Sequence, residues 1–426
     1  MSRTNGNMEQ PVADRGMVIV GAGHAGVSAA LALRASGWRN TITLLETQDV
    51  LPYERPPLSK SVLRGERTIE DHRLFMPGRM EEYAIEFRRN ARVAAIDRDE
   101  RHIILSDGQT IAYERLLLAP GAVARPLSVP GSDCPGVLTL RDAADAARLR
   151  ERIRINPRSR LAIIGGGLIG LEVAASARAL GCAVTVIEVG RRIMMRTLRE
   201  EIACRVQSCH EQAGVEFRLG RRIVSIVGGD EVRGVELDDG SLISSNTVLA
   251  CVGASPRVEL AKEAGLAIDN GIAVDRHLRT SDPFIYAAGD ACAFEWEGGH
   301  RTRLECWKTA NDQGKTAGRN MLGMSEVYLP EPWLWSDQYD KSIQVAGYPD
   351  RSRQDVDRLC QDQSHLIFHL GEQGEVVGFS GFGSQRQVGH GVKVAKLLMQ
   401  HRVRPSPADL GDASVDLRSL LGAAAA

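Results

Sequence analysis

The chain has 426 residues, which predicts two to four domains at roughly 100 to 200 residues per domain. Lys and Arg total 53 against 54 Asp and Glu, giving a net charge of -1, so no overall charge draws the chain to nucleic acid or an anionic membrane. No apolar run is long enough for a membrane span, which needs about 18 residues. A charge-driven partner would therefore have to be bound by a local patch.

The first motif lies near the N-terminus. The apolar segment MVIV predicts a buried parallel strand, and the GAGHAG that follows places Gly21, Gly23 and Gly26 in the G-x-G-x-x-G pattern. These glycines permit a tight turn, close approach of a pyrophosphate, and close packing of the next helix on the strand. The strand ITLLE then ends in Glu46, 20 residues after Gly26, where an acid would bind a ribose hydroxyl. The segment predicts a dinucleotide-binding site.

The same pattern returns 144 positions later. Gly165, Gly167 and Gly170 follow the strand LAII and precede a helix, and the strand AVTVIE ends in Glu188. Two fingerprints imply two bound dinucleotides, or one dinucleotide cofactor and one dinucleotide substrate. An acid at Glu188 favours NADH over NADPH because it accepts from a 2′-hydroxyl and repels a 2′-phosphate. The adjacent Arg191 and Arg192 leave room for the opposite preference.

The two fingerprints belong to a longer internal duplication. The segments LSDGQTIAYERLLLAPGA at 105–122 and LDDGSLISSNTVLACVGA at 237–254 share an Asp-Gly turn, a strand and a closing Gly-Ala. Each predicts a hairpin with a turn at the Asp-Gly pair, whose last strand returns to its own domain. The spacing of the two copies thus implies a repeat of about 130 to 145 residues, a common domain size, that covers most of the first 255 positions.

The cysteines and histidines do not predict a disulfide framework or a metal site. The eight cysteines form no C-x-x-C, and the polar N-terminus has no secretory signal, so they are expected to be reduced thiols in the cytoplasm. Cys204 and Cys209 lie in a predicted helix, about 140° apart around its axis. His365 and His369 lie in a predicted strand, roughly 13 Å apart. No metal is therefore expected.

The last third of the chain differs in pattern from the first two. From about residue 330, alternating segments such as SIQVAGY, HLIFHL and EVVGFSGF predict antiparallel strands, and no third fingerprint occurs. A basic stretch between Ser380 and Ala408 contains no Asp or Glu. Its basic residues are Arg386, Lys393, Lys396, Arg402 and Arg404. This stretch is either the expected local charge patch or an ordinary solvated surface.

Together, the two fingerprints, LPYERPPLSK (51–60), TSDPFIYAAGDAC (280–292) and PWLWSDQYDKSIQVAG (332–347) resemble the NADH-dependent ferredoxin reductases of bacterial oxygenase systems. The resemblance, of the putidaredoxin reductase and biphenyl-dioxygenase reductase types, runs from about residue 16 to 420. It implies an α/β fold with two Rossmann-like, glutathione-reductase-like dinucleotide-binding domains and a C-terminal α+β domain. The implied boundaries are 1–123 with 255–329 for FAD, 124–254 for NADH and 330–426 for the C-terminal domain.

The resemblance also implies cofactor contacts. For FAD these are Gly21, Gly23, Ala25, Gly26, Glu46, Arg55, Lys60, Val93 (through its backbone to the adenine), Gly121, Arg141, Asp290 (to the ribityl chain) and Trp307. For NADH they are Gly165, Gly167, Gly170, Glu172, Glu188 and Gly253. One departure is Ala119-Pro120-Gly121 in place of the usual Ala-Thr-Gly. Because proline has no amide donor, it puts the hydrogen bonding of that interdomain crossing in doubt.

Three residues would carry the chemistry. The resemblance places Lys60 beside the reactive flavin nitrogen, paired with Glu172, at the position where disulfide reductases have a redox cysteine. A lysine at this position excludes a thiol relay. The alternative to a role of Lys60 and Glu172 beside the flavin is that they form an ordinary surface ion pair. It also places Trp335 closest to the isoalloxazine, with a plain core aromatic as the alternative.

The implied activity is NADH:ferredoxin oxidoreduction. NADH would deliver a hydride to FAD, and the flavin would pass single electrons to a 2Fe–2S ferredoxin, which serves a terminal oxygenase. The basic stretch, through Arg386, Lys393 and Lys396, would dock an acidic ferredoxin. An apoptosis-inducing-factor-like binding flavoprotein, and an NADH oxidase or monodehydroascorbate reductase, remain alternatives. The protein is expected to be a monomer or a weak homodimer.

Overall fold

The computed structural model describes residues 15–76, 78–155, 159–296 and 299–424. The first Rossmann-like unit is built on a parallel sheet in the order β3-β2-β1-β6, to which β18 adds beside β6. Its side chains are buried on both faces, which explains the continuous apolar strands. Its first elements are β1 Gly16–Val20, α1 His24–Ala35, β2 Ile42–Leu45, α2 Ser61–Arg64, α3 Arg79–Glu82, β3 Ile85–Arg88, β4 Val93–Asp97, β5 His102–Leu105, β6 Thr110–Leu118 and β7 Ala122–Ala124.

The second unit repeats this plan with a parallel sheet in the order β11-β10-β9-β15-β8. A small antiparallel sheet, β12-β13-β14, stands beside it. The elements are β8 Val137–Thr139, α4 Ala143–Ile155, β9 Arg160–Ile164, α5 Leu168–Ala179, β10 Ala183–Glu188, α6 Glu200–Gln212, β11 Val215–Leu219, β12 Ile223–Gly228, β13 Val232–Leu237, β14 Leu242–Ser244 and β15 Thr247–Ala250.

The chain then returns to the first unit. Strand β7 pairs antiparallel with the returning strand β16, so the outgoing and incoming crossings run side by side. The returning elements are β16 Ala254–Pro256, α7 Glu259–Glu263, β17 Ile272–Val274, β18 Ile285–Ala287, β19 Cys292–Glu295, β20 Arg301–Thr302 and α8 Trp307–Met321. Helix α8 packs directly on α1. A Cβ at Gly314 would overlap the carbonyl of Ala25, and one at Gly318 would lie 2.7 Å from the Ala29 oxygen, so only glycine allows this separation.

The C-terminal unit is an antiparallel five-stranded sheet in the order β21-β22-β25-β24-β23. Helix α9 covers one face with Val388, Val392 and Leu398, which join a core that includes Phe368 and Phe379. The elements are β21 Trp333–Gln338, β22 Lys341–Gly347, β23 Gln354–Leu359, β24 His365–Leu370, β25 Val376–Gly383, α9 Gln385–Gln400, α10 Pro407–Gly411 and a final 3-10 helix at Leu417–Ala424. The predicted α/β class with a C-terminal α+β domain is confirmed.

Both predicted hairpins are present. Gly108 lies in the turn between antiparallel β5 and β6, with φ 87°, and Gly240 lies in the turn between β13 and β14, with φ 79°. The two copies differ in one respect. In the first, β6 is a single strand that serves both the hairpin and the parallel sheet, whereas in the second these tasks are divided between β14 and β15. The exact domain boundaries stay a prediction.

The helix predicted for the cysteine pair and the strand predicted for the histidine pair are both present. Cys204 and Cys209 lie on helix α6, and all eight cysteines are free. His365 and His369 lie on strand β24 and bond to the carboxylates of Asp357 and Asp355. In the described residues, no cluster of His, Cys, Asp and Glu side chains is arranged to hold a metal ion. The same part of the chain contains no helix long and apolar enough to cross a bilayer.

Candidate functional site

A cavity of about 330 Å³ lies where the three units meet. Its lining comes from the first glycine turn, the segment 119–122 that follows β6, the start of α5, the start of α8 and strand β21. Ten of the twelve residues predicted to contact FAD line it: Gly21, Gly23, Ala25, Glu46, Arg55, Lys60, Gly121, Arg141, Asp290 and Trp307. Gly26 and Val93 do not belong to the lining; Ala91, two residues before Val93, does. The predicted cofactor set therefore converges on one cavity despite its scatter along the chain.

The first glycine turn has the shape that a dinucleotide requires. Gly21 has φ 102°, and a Cβ on Gly26 would overlap the carbonyl oxygen of Gly21. These two glycines are therefore needed by the fold itself. A Cβ on Gly23, by contrast, would meet no atom of the described chain within 4 Å. The middle glycine leaves space at the N-terminus of α1, where unpaired helix amides favour a phosphate.

The second glycine turn has the same division of roles. Gly165 has φ 113°, and a Cβ at this position would clash with the carbonyl of Cys251. A Cβ at Gly170 would clash with the carbonyl of Gly165. Gly167 again opens onto free space at the start of α5. The two turns are thus equivalent in geometry as well as in sequence. Gly253, predicted as an NADH contact, has φ 107° and directly precedes β16, the strand that returns the chain to the first unit.

The acids that end the second strand of each unit are oriented by backbone amides. Glu46 accepts from the amides of Ala22 at 3.3 Å and Gln48 at 3.0 Å. Glu188 accepts from the amides of Gly166 and Gly190, both at 2.7 Å. Each carboxylate is therefore held beside its own glycine turn. This is the position from which a ribose hydroxyl can be bound.

A cluster of charged side chains lines the cavity. Arg141 forms an ion pair with Asp290, and the Arg55 guanidinium donates to the Arg141 carbonyl at 2.6 Å. Burial and the neighbouring Arg141 lower the pKa of Arg55 from its usual value. His24 is buried, and desolvation together with Arg55 lowers its pKa to about 4. Its Nε2 has no hydrogen-bond partner among the described residues. A polyanionic cofactor fits this donor-rich pocket.

Pro120 follows strand β6, where the chain passes from the first unit to the second, and its missing amide donor breaks no hydrogen bond there. The Ala119 amide bonds to Val20, and the Gly121 carbonyl accepts from Arg257 at 3.0 Å. Pro120 lies between them, past the last residue of β6. The doubt raised by its missing donor is therefore removed, because the crossing is held by the neighbouring residues and by the β7–β16 pair.

The centre of the cavity contains the predicted lysine–glutamate pair. Lys60 Nζ lies 2.7 Å from Glu172 Oε1, and their side chains are 16% and 5% exposed. Lys60 is the N-cap residue directly before the short helix α2 of the first unit, and Glu172 lies on α5 of the second. The low exposure contradicts the surface-pair alternative. The pair ties the first unit to the second inside the cavity that both of its residues line.

Two serine hydroxyls that the sequence did not predict hold Glu172. Ser59 donates to one carboxylate oxygen and Ser336 donates to the other at 2.6 Å. Ser59 directly precedes Lys60, and Ser336 lies at an inward position of β21. The only available signal was a polar residue at a position that strand alternation predicts to be buried. Cys251 packs nearby, and burial and Glu172 raise the pKa of its thiol to about 12, so it stays protonated.

An aromatic chain leads from the cavity towards the surface of the C-terminal unit. Trp335 lines the cavity, makes an edge contact with Trp307 at 5.6 Å and stacks on Trp333 at 5.0 Å. Lys396 Nζ then lies 4.0 Å from the centre of the Trp333 ring. Burial and the nearby Lys308 lower the pKa of Lys396 to about 8. Trp335 is thus part of the cavity wall and not a plain core residue.

The basic stretch is not uniform. Arg386 and Lys393 are exposed on helix α9, seven residues apart and hence on one face. Lys396 is half-buried over Trp333 and differs from them in environment. Arg402 and Arg404 are exposed beyond the helix. The α9 surface therefore offers two exposed positive charges next to one that covers the aromatic chain.

Comparison with known proteins agrees with this geometry. Residues 15–314 match the family described as pyridine nucleotide-disulphide oxidoreductase, and residues 333–421 match the reductase C-terminal family. The chain is 37% identical over 411 residues to the anthranilate 1,2-dioxygenase system ferredoxin–NAD(+) reductase component of Burkholderia cepacia, covering 95% of this chain and 98% of that protein. It is 39% identical to the rhodocoxin reductase of Rhodococcus erythropolis over 78% of each chain.

Solved structures show the same relationship. The ferredoxin reductase for the CYP199A2 system from Rhodopseudomonas palustris superposes with a TM-score of 0.88 at 35% identity, covering 95% of this chain and 98% of that one. Putidaredoxin reductase in its covalent complex with putidaredoxin gives a TM-score of 0.88 at 32% identity, covering 97% and 100%. The chain therefore belongs to the pyridine nucleotide-disulphide oxidoreductase family, as an oxidoreductase whose cofactors are FAD and NAD(H).

Proposed function

We propose that the protein is an FAD-dependent NADH:ferredoxin oxidoreductase that delivers electrons to a 2Fe–2S ferredoxin of an oxygenase system, either a Rieske dioxygenase or a cytochrome P450. The observation that carries the proposal is the buried Lys60–Glu172 pair, which joins the two units that carry the glycine turns and has no redox disulfide beside it. The names of the relatives, which are reductases of an anthranilate dioxygenase system, of rhodocoxin and of the CYP199A2 system, support the acceptor class.

In this proposal the two glycine turns divide the cofactors between them. The turn at Gly23 binds the FAD pyrophosphate, and the turn at Gly167 binds that of NADH, because each opens at a helix N-terminus. Glu46 and Glu188 bind the respective riboses. Glu188 already accepts two amide hydrogen bonds and would repel a 2′-phosphate, which favours NADH over NADPH.

Lys60 and Glu172 orient the reacting groups. Bound FAD would supply the ability to accept a hydride from NADH and to release electrons one at a time. The ammonium and the carboxylate neutralise each other, so the floor of the nicotinamide site carries no net charge. Ser59 and Ser336 fix the carboxylate from two sides, which limits the angles at which a nicotinamide ring can stack. Trp335 also lines the cavity and would help to exclude water from the reacting groups.

The ferredoxin docks, in this proposal, on the α9 surface beside the aromatic chain. Arg386 and Lys393 are exposed and can steer an acidic partner. Lys396 acts differently: it covers Trp333, at the outer end of the Trp307–Trp335–Trp333 contacts. A bound acidic protein would lie over this lysine and shorten the distance that electrons must cross. The eight free thiols favour a reducing compartment, and a cytoplasmic location is part of the proposal.

The decisive experiment compares electron acceptors. The flavin of the purified holoenzyme is reduced anaerobically with NADH by stopped flow, and the reduced enzyme is then mixed separately with a 2Fe–2S ferredoxin, a quinone, monodehydroascorbate and O₂. We expect the ferredoxin to reoxidise the enzyme fastest. Faster reoxidation by O₂, quinone or monodehydroascorbate would indicate an oxidase or a different reductase, and slow reoxidation by every acceptor would favour a binding flavoprotein.

A further inference from the structure

A continuous line of hydrogen bonds leads from Glu172 to the protein surface. Ser336 donates to Glu172 at 2.6 Å, and Gln338 Nε2 donates to Ser336 Oγ at 3.0 Å. The Gln338 oxygen lies 2.8 Å from His210 Nε2, and His210 Nδ1 lies 3.0 Å from the hydroxyl of Tyr339. Ser336, Gln338 and His210 are each at most 3% exposed, whereas Tyr339 is 40% exposed. The line joins the cavity to the turn between β21 and β22.

The carboxylate at one end fixes the direction of every bond in this line. An ionised Glu172 only accepts, so the Ser336 hydroxyl must donate to it. The Ser336 oxygen then accepts from the Gln338 amide nitrogen, which turns the amide oxygen towards His210. His210 must therefore carry its proton on Nε2 and accept from Tyr339 on Nδ1. All four donors point towards Glu172, and aligned hydrogen bonds of this kind strengthen one another.

The charge states of the outer groups suit these roles. Burial lowers the pKa of His210, with an opposing contribution from its bond to Gln338, so the ring is neutral near pH 7. Burial raises the pKa of Tyr339, so its hydroxyl keeps the proton that it donates. No group in the line is required to change charge for the geometry to hold.

The backbone at Tyr339 gives independent support. Tyr339 has φ 54°, a left-handed conformation that is unfavourable for a bulky residue and is ordinarily left to glycine or asparagine. Its ring makes an edge contact with His210 at 5.0 Å. Strain of this kind persists where the surroundings hold the residue in place. Here it brings the tyrosine hydroxyl to the imidazole.

The line also joins separate parts of the chain. Ser336, Gln338 and Tyr339 belong to the C-terminal unit, whereas His210 lies on α6 and Glu172 on α5 of the second unit. Leu334, on the same face of β21 as Ser336, packs in a core with Leu171. The orientation of Glu172 therefore depends on how the β21–β22 hairpin sits against the NADH-binding unit.

We propose that Ser336, Gln338, His210 and Tyr339 are positioning residues that orient Glu172 for hydride transfer through a one-directional hydrogen-bond relay. This inference rests on the proposed role of Glu172 beside the nicotinamide. The relay moves no proton through Gln338, since an amide is a poor carrier. It holds one carboxylate oxygen between Ser336 and Lys60, so that the gap beside the flavin keeps its shape when NADH enters.

The test uses a nearly isosteric change that reverses one bond. Gln338→Glu keeps an acceptor for His210 but removes the donor to Ser336, so the introduced carboxylate and that of Glu172 would compete for one hydroxyl. We expect the rate of flavin reduction at saturating NADH to fall roughly tenfold to a hundredfold, with little change in the NADH dissociation constant. Ser336→Ala should give a similar loss. The double variant should lose no more than either single change, because the residues act as one unit.

Two controls keep the outcome interpretable. Ser342→Ala removes a buried hydroxyl of the same hairpin that has no hydrogen-bond partner among the described residues, and it should leave the rate unchanged. In the holoenzyme, ¹⁵N shifts of the His210 imidazole should show a neutral ring protonated on Nε2, and Tyr339→Phe should alter the Nδ1 shift. A folded Gln338→Glu enzyme with the wild-type rate, or a His210 ring protonated on Nδ1, would overturn the relay. An absence of NADH-dependent reduction in the wild-type enzyme would instead refute the proposed function.

Discussion

At the scale of single residues, the chemistry depends on how charge is buried. Lys60 and Glu172 share one hydrogen-bonded contact at low exposure, and removing one partner leaves the other as an uncompensated charge. The neighbouring pair Arg64–Glu66 lies on the same short segment with side chains 29% and 55% exposed. Its charges remain solvated when either is lost. The two pairs therefore provide a matched comparison.

Lys60→Met should slow anaerobic flavin reduction by NADH roughly tenfold to a hundredfold because the carboxylate loses its fixed partner. It should also lower the free energy of unfolding by about 3 kcal/mol, and Lys60→Met with Glu172→Gln should recover part of that loss. Stopped-flow absorbance and chemical denaturation measure the two effects. Arg64→Met serves as the control, with a stability change below about 1 kcal/mol. A normal reduction rate in Lys60→Met would contradict the role given to this lysine.

His24 predicts how the flavin-free protein responds to acid. Its folded pKa of about 4 lies below the ordinary histidine value of 6.5, so the unfolded chain binds a proton that the folded chain rejects. The stability contribution is fully present above pH 6.5 and is lost as the pH falls towards 4, with a limiting value on the order of 3 kcal/mol. His24→Gln should lose less stability over this interval in denaturant titrations. Equal pH dependence in both proteins would show that His24 ionises freely.

At the scale of elements, the two strand–turn–helix segments divide their glycines between fold and ligand. Gly26 lies against the Gly21 carbonyl, whereas Gly23 faces open space. The same contrast holds for Gly170 and Gly167. The glycines of one motif are thus required for different physical reasons, and their spacing in the sequence alone does not tell which glycine serves the fold and which serves the ligand.

Gly26→Ala should destabilise the protein by about 1 to 3 kcal/mol, since its methyl group overlaps backbone. Gly23→Ala should leave the unfolding of the flavin-free protein unchanged and weaken FAD retention, because the methyl group enters the space at the helix N-terminus. Denaturation curves and equilibrium dialysis of FAD distinguish these effects. Comparable destabilisation by both substitutions would mean that Gly23 is needed by the fold and not by the ligand.

At the scale of the whole molecule, a chain with almost no net charge has a local positive surface on α9. Arg386→Glu and Lys393→Glu should raise the KM for a ferredoxin severalfold at low ionic strength, with a smaller effect at high salt. NADH-to-ferricyanide activity should not change. Lys262→Glu, an exposed lysine on α7, is the control with the same charge change. A KM increase as large in Lys262→Glu would show that overall charge, and not an α9 docking face, governs association.

Sequence determined those parts of the protein that depend on local pattern. Glycine spacing after buried strands predicted both dinucleotide turns, Asp-Gly pairs predicted both hairpins, and alternation predicted the C-terminal sheet, because backbone geometry is set by neighbouring residues. The family resemblance supplied Lys60, Glu172 and Trp335, and the structure brings all three to one cavity.

Only the tertiary structure decided what surrounds Glu172. Its hydroxyl partners Ser59 and Ser336 lie 113 and 164 positions away, and His210 lies 128 positions from Gln338. No local pattern encodes hydrogen bonds over such separations, since they form only when α5, α6 and β21 pack together. The half-buried state of Lys396 over Trp333 has the same origin. Sequence therefore determined which chemical groups are present, and packing decided which of them form hydrogen bonds or ion pairs with one another.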